Sequence, residues 1–171
     1  MRGTLARAIA ALSLLATAAS AAPAPARPVG PQFFTGRWFE IARSLNPNQK
    51  DCEAPTYDFA PQASGAPRFT LTCRKGSPTG PADRLNVSIR LPKGEDAARF
   101  RVSALGGLVG ANYTVLDHDE AYSWAVLTMG DGHYVWLLAR KPALDAATRG
   151  RLTERIAALG YDLRQIIYPR W

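Results

Sequence analysis

The sequence predicts a mainly β domain, an antiparallel up-and-down barrel or a sandwich, with a single helix packed outside it. Three observations carry this. Short apolar–polar alternations recur at near-regular spacing, turn residues separate them, and no helical crossover lies between them. The 171 residues suit one domain. With 47% apolar and 20% charged residues the composition is that of an ordinary globular protein, which excludes wholesale disorder.

Residues 1–21 read as a cleaved signal peptide. Arg2 and Arg7 form a basic start, Ala8 to Ala19 is an apolar run centred on Leu12, Leu14 and Leu15, and Ala19-Ser20-Ala21 offers small residues for cleavage. A membrane anchor would need about 20 strongly apolar residues, and this run is mostly Ala and is stopped by Pro23 and Pro25. No cysteine precedes Cys52, so no thiol stands at the cleavage site to be acylated. The expected location is periplasmic or secreted, without a lipid anchor. Residues 22–32 form a Pro/Ala-rich linker, expected to be loose, and residues 33–171 the folded domain.

The strands come in order. Trp38 to Arg43 is the first; Thr56 to Ala60 and Arg68 to Arg74 flank a Ser64-Gly65-Ala66-Pro67 turn. Arg84 to Leu91 places Leu85, Val87, Ile89 and Leu91 on one face, and Pro92-Lys93-Gly94 leads to Arg99 to Ala104. Gly106-Gly107 precedes Ala111 to Leu116; Asp117 to Glu120 is a polar turn; Tyr122 to Met129 and His133 to Arg140 flank Gly130-Asp131-Gly132. Then Leu144, Leu152, Ile156 and Leu159 form a helical stripe, capped by Asp145 and ended by Gly160. Tyr161 to Tyr168 is a last short strand. Alternation puts Trp38, Glu40 and Ala42 on one face of the first strand, and Phe39 and Ile41 on the other, where the helix stripe can cover them.

The formal charge of +7 falls by two with the leader and stays basic, but the 21 Lys and Arg residues are scattered and read as solvated faces, not a nucleic-acid patch. Cys52 and Cys73, the only two cysteines, are expected to form a disulfide in an oxidising compartment. The competing reading is a catalytic thiol beside His118 or His133. Two histidines are too few for a zinc site without carboxylates, and no nucleophile elbow, phosphate loop or metal-binding helix motif is present. No catalytic residue, metal or cofactor is therefore expected.

Gly36-Arg37-Trp38-Phe39-Glu40-Ile41-Ala42-Arg43 resembles the Gly-x-Trp signature of lipocalins, especially their bacterial outer-membrane branch. Tyr113-Thr114-Val115-Leu116-Asp117 resembles the second signature, and Tyr134 to Pro142 the third. The resemblance implies an eight-stranded barrel open at one end, with the C-terminal helix alongside. It makes Gly36, Trp38, Asp117 and Arg140 structural residues of the closed end, with Arg140 stacked on Trp38. It departs from the branch in the missing N-terminal cysteine and in the stretch Leu105 to Gly110, where aromatics are the rule.

The resemblance further implies that the protein binds and carries or stores a hydrophobic or amphiphilic molecule, such as a fatty acid or lysophospholipid, and is not an enzyme. Inward candidates by alternation are Glu40, Tyr57, Phe69, Phe100, Tyr113 and Trp136, with Glu40 either a structural hydrogen-bond partner or an anchor for the ligand's polar end. The expected partners are that ligand and, transiently, a membrane surface, with no nucleic acid; a monomer or weak dimer is expected. Alternatives are a lipocalin-fold enzyme acting on a bound lipid, or a protein-interaction module.

Overall fold

The computed structural model describes residues 22–60, 65 and 67–171. The leader, residues 1–21, lies outside the described residues. Eight antiparallel strands succeed one another: β1 (Gly36–Ser44), β2 (Cys52–Phe59), β3 (Arg68–Lys75), β4 (Ala82–Arg90), β5 (Arg99–Ala104), β6 (Val109–His118), β7 (Trp124–Met129) and β8 (Tyr134–Ala139). Each pairs with the next, and β1 pairs with both β8 and β2, so the sheet closes into a barrel with no free edge among the eight. A helix, α1 (Ala146–Ala158), and a two-residue strand, β9 (Ile166–Ile167), complete the chain, β9 pairing with Arg43 and Ser44 of β1.

Gly36 opens β1 at φ +61, a conformation that costs a residue with a Cβ more than it costs glycine. The helix is capped as its sequence implies. Asp145 accepts from the Thr148 amide at 2.8 Å, and Gly160 follows the helix end at φ +94. Its buried residues, Leu152 and Ile156, pack on Ile41, Ala42, Leu116, Val126, Val135 and Leu137 on the outside of the barrel. At about 2 kcal/mol for each buried aliphatic side chain, this layer holds the helix in place. A second cluster fills the barrel itself, from Phe33, Phe34 and Trp38 through Ile89, Phe100 and Val115 to Trp136 and Leu138.

Three details depart from the alternation pattern. The register of β1 shifts between Glu40 and Ala42, so Ala42 joins Ile41 against the helix and does not share the face of Trp38 and Glu40. A similar shift in β6 between Val115 and Asp117 turns Asp117 outward beside Leu116, toward the helix, while Val115 stays inside. The second strand starts at Cys52, earlier than its turn chemistry suggests, and the last is short because a 3-10 turn at Leu163–Gln165 precedes it.

The Pro/Ala-rich segment is not loose. Val29 is fully buried, its amide donates to Asp96 Oδ1 at 3.0 Å, and its carbonyl accepts from the Ala97 amide at 2.9 Å. The Gly30 amide donates to the Tyr122 hydroxyl at 2.8 Å, and the Ala26 amide to the Leu116 carbonyl at 2.8 Å. Irregular up to a 3-10 turn at Pro31–Phe34, the segment is pinned as a strap by groups from three loops and strands. The β1–β2, β3–β4, β5–β6 and β7–β8 connections gather at one end of the barrel; the strap's Phe33 and Phe34 plug the other.

Candidate functional site: the barrel interior

At the plugged end, Trp38 is fully buried and its indole Nε1 donates to the Phe33 carbonyl at 2.9 Å. The Arg140 guanidinium lies 3.7 Å above the Trp38 ring. Its nitrogens donate to the carbonyls of Gln32, Thr35, Arg37 and Tyr122, so it is engaged by backbone and ring. Asp117 sits beside this end but faces the helix, accepting from Arg155 Nε at 2.8 Å, with Arg27 3.6 Å away. Cys52 and Cys73 form a disulfide that ties β2 to β3.

The middle of the barrel holds a polar cluster. Glu40 is fully buried. Its Oε1 accepts from Arg43 Nη1 at 2.7 Å, and its Oε2 from Gln49 Nε2 at 2.9 Å and from the Tyr57 hydroxyl at 2.5 Å. Arg43 also donates to the carbonyls of Gln49 and Cys52. Gln49 Oε1 in turn accepts from Asn46 Nδ2 at 3.0 Å and from the Trp136 indole at 2.9 Å. A buried carboxylate is costly unless paired and hydrogen-bonded, and here it is both. Burial, then the Glu40 charge, push the Tyr57 hydroxyl well above its ordinary value. The same causes push Tyr113 up to about 12.

All six inward candidates belong to one connected group. Phe69 packs on Tyr57 with ring centroids 5.6 Å apart, Tyr57 binds Glu40, and Gln49 links Glu40 to Trp136. Trp136 packs on Tyr113 at 5.6 Å, and Tyr113 stacks on Phe100 at 5.9 Å. Arg43 and Gln49 escaped sequence reasoning. Strict alternation sends a residue three positions after Glu40 to the opposite face, and only the β1 bulge reverses that. Gln49 lies in the β1–β2 loop, which alternation does not describe.

Two donors in this cluster have no protein acceptor among the described residues: Arg43 Nε, which is buried, and the Tyr113 hydroxyl. Around them the inward side chains grade from buried to half-exposed. Phe33, Trp38, Ile89 and Leu138 are closed off, whereas Tyr57, Leu71, Val102, Tyr113, Met129 and Tyr134 remain half-buried and Leu85 is 38% exposed. The arrangement is an apolar lining with solvent access and a few convergent polar groups, the usual make-up of a small-molecule site.

Neither histidine faces this interior. His118 is buried at the end of β6 and not in an exposed turn; its ring nitrogens lie 2.7 and 3.0 Å from the carbonyls of Asp119 and Pro28. His133 is exposed beside Asp131 in the β7–β8 hairpin. Among the described residues no group of three His, Cys, Asp or Glu could hold a metal ion, and no helix is long and apolar enough to cross a membrane.

Known proteins agree with this architecture. The lipocalin-like domain family matches residues 31–170, and the chain belongs to the lipocalins, whose eight-stranded barrels hold one small ligand. It is 24% identical over 136 residues to the outer membrane lipoprotein Blc of Vibrio cholerae, covering 79% of this chain and 78% of that one. It is 28% identical over 141 residues to a putative lipocalin of Acanthamoeba polyphaga mimivirus, covering 80% and 81%. Among solved structures, insecticyanin of the tobacco hornworm Manduca sexta superposes with a TM-score of 0.70 at 12% identity, covering 87% of this chain and 84% of that one. Lobster apocrustacyanin A1 gives 0.64 at 14% identity, covering 82% and 78%. These likenesses show the fold.

Proposed function

We propose that the barrel binds and carries an amphiphile with one acceptor-bearing end, a fatty acid or lysophospholipid, in an exported protein without catalytic activity. The observation that carries the reading is the Tyr113 hydroxyl, on a half-buried residue and without a protein acceptor among the described residues, set among half-exposed apolar side chains. Glu40 is saturated by three protein donors. Its part is to fix Arg43, Gln49 and Tyr57, and the ligand's polar end is read by the Tyr113 hydroxyl instead. Apolar burial at about 25 cal/mol per Å² drives uptake, and the Tyr113 hydroxyl sets orientation.

The test is native mass spectrometry of protein purified from an exporting host, with extraction of whatever co-purifies, then titration with a fatty acid and an uncharged apolar fluorophore. Tyr113→Phe should weaken fatty-acid binding by up to about tenfold, the value of one hydrogen bond, and leave the fluorophore unaffected. Protein that takes up neither would sink the reading.

A further inference from the structure

The arginines that are scattered in sequence converge in the fold. The outward positions of β3 to β5 carry Arg68, Arg74, Arg84, Arg90, Arg99 and Arg101, five of them exposed, and none makes an ion pair with any described residue. No carboxylate occupies an outward position on these three strands: Asp83 has the inward parity and is paired to Lys75. Arg90 and Arg101 are direct cross-strand partners. Like charges placed opposite each other destabilise a sheet, and an outside counter-charge relieves that cost. Two surface clefts of about 470 and 490 Å³ open on this face and share Arg90 and Leu91; the second is also lined by Arg99 and Arg101.

One end of the same face is apolar. Leu105 and Leu108 in the β5–β6 loop and Val109 at the start of β6 are 63, 89 and 59% exposed. Leu105 holds φ +51, a left-handed conformation unfavourable for a leucine, and still presents its side chain to water. Arg101 joins the two regions. Its guanidinium leans over Gly110, where a Cβ would meet Nη2 at 3.0 Å, which places the charge beside the apolar loop.

We propose that the β3–β6 face docks on the phosphate-bearing surface of an anionic lipid bilayer, with the arginines at headgroup level and Leu105, Leu108 and Val109 inserted. Charge complementarity selects the occupant, and the leucines distinguish a bilayer from a soluble polyanion, which offers them nothing. The outward side chains of this surface lie outside the barrel, although Phe100 and Tyr113 also line the second cleft.

The experiment is flotation of the full chain with vesicles of phosphatidylcholine alone or mixed with phosphatidylglycerol. The parent protein should bind the anionic vesicles and scarcely the neutral ones. At about fivefold per arginine near an anionic surface, the Arg90→Gln, Arg99→Gln, Arg101→Gln triple variant should lose roughly a hundredfold in partitioning. Leu105→Ser with Leu108→Ser should lose about tenfold or more. Arg149→Gln with Arg151→Gln, on the exposed helix, should lose little. Equal binding to both vesicle types, full binding by the triple variant, or an equal loss in the helix variant would overturn the proposal. Capture by single-stranded nucleic acid, with the leucine variant behaving as the parent, would also overturn it. Displacement of an apolar fluorophore from the barrel, read in the same samples, should be unchanged in every variant, which separates failure of docking from failure of the ligand reading.

Discussion

Glu40 and Arg43 stand three residues apart in one strand yet meet inside the barrel at 2.7 Å, because the register shift between Glu40 and Ala42 turns Arg43 back to the inner face. Both are almost wholly buried. Removing one member of such a pair leaves an uncompensated charge and costs about 3–5 kcal/mol. Arg43→Met and Glu40→Met should each lower the denaturant midpoint by that measure, and the double variant should be more stable than the sum of the two losses predicts. Strict additivity in a double-mutant cycle would show that the pair is uncoupled.

Alkaline pH should act through the tyrosines of the same cluster. In the unfolded chain a tyrosine releases its proton near pH 10, whereas burial and the Glu40 charge hold Tyr113 up to about 12 and Tyr57 also well above its ordinary value. Between those values the folded state binds more protons than the unfolded one, so the stabilisation is complete below about pH 10 and is lost as pH rises toward 12. The unfolding midpoint should fall across that range, and less steeply in Tyr113→Phe. Tyrosinate absorbance that completes for all six tyrosines in the still-folded protein would contradict this.

Arg140 combines a ring contact on Trp38 with hydrogen bonds to four carbonyls. Arg140→Ala should cost about 3 kcal/mol, a cation–π contact together with charged hydrogen bonds. Arg140→Lys should recover less than half, since an ammonium group cannot span the four carbonyls and stack as well. Thermal unfolding monitored by tryptophan fluorescence reads both; full rescue by lysine would reduce the residue's role to charge alone.

The Cys52–Cys73 bridge spans a sequence separation of 21 residues. In the chain-entropy account a loop of that size is worth about 3 kcal/mol. The Cys52→Ala, Cys73→Ala variant should lose that amount under oxidising conditions, and dithiothreitol should destabilise the parent but not the variant. A reductant-insensitive parent would argue against a bridge in solution.

How much of the fold and the site was legible in the sequence depends on periodicity. The eight strands, the helix and its Asp145 cap emerge from alternation and turn chemistry, since every strand must bury one face. The bulges at Ile41 and Leu116 were not legible: one inserted residue reverses the facing of the later strand positions and leaves the composition unchanged. Gln49 was missed for a related reason, as a loop residue has no face until the loop closes. The arginine face was hidden because Arg68, Arg90 and Arg101 become neighbours only through strand pairing. The strap misled in the opposite sense, for its Pro and Ala content gives no periodicity to read but does not prevent Val29, Pro28 and Gly30 from being pinned individually.

The strap also decides how the molecule can be attached to anything. From Phe33 at the plugged end it runs to the β7–β8 hairpin, where Ala22 lies so close to Gly132 that a Cβ there would meet its Cα at 3.0 Å. At the other terminus Trp171 packs on Phe39, on the outside of β1. A tether joined ahead of Ala22 therefore leaves the protein beside the barrel opening, and one joined after Trp171 leaves it from the barrel wall. Immobilised by its amino end, the protein would present its opening toward the support and load slowly; immobilised by its carboxyl end, it would leave the opening free to the solution.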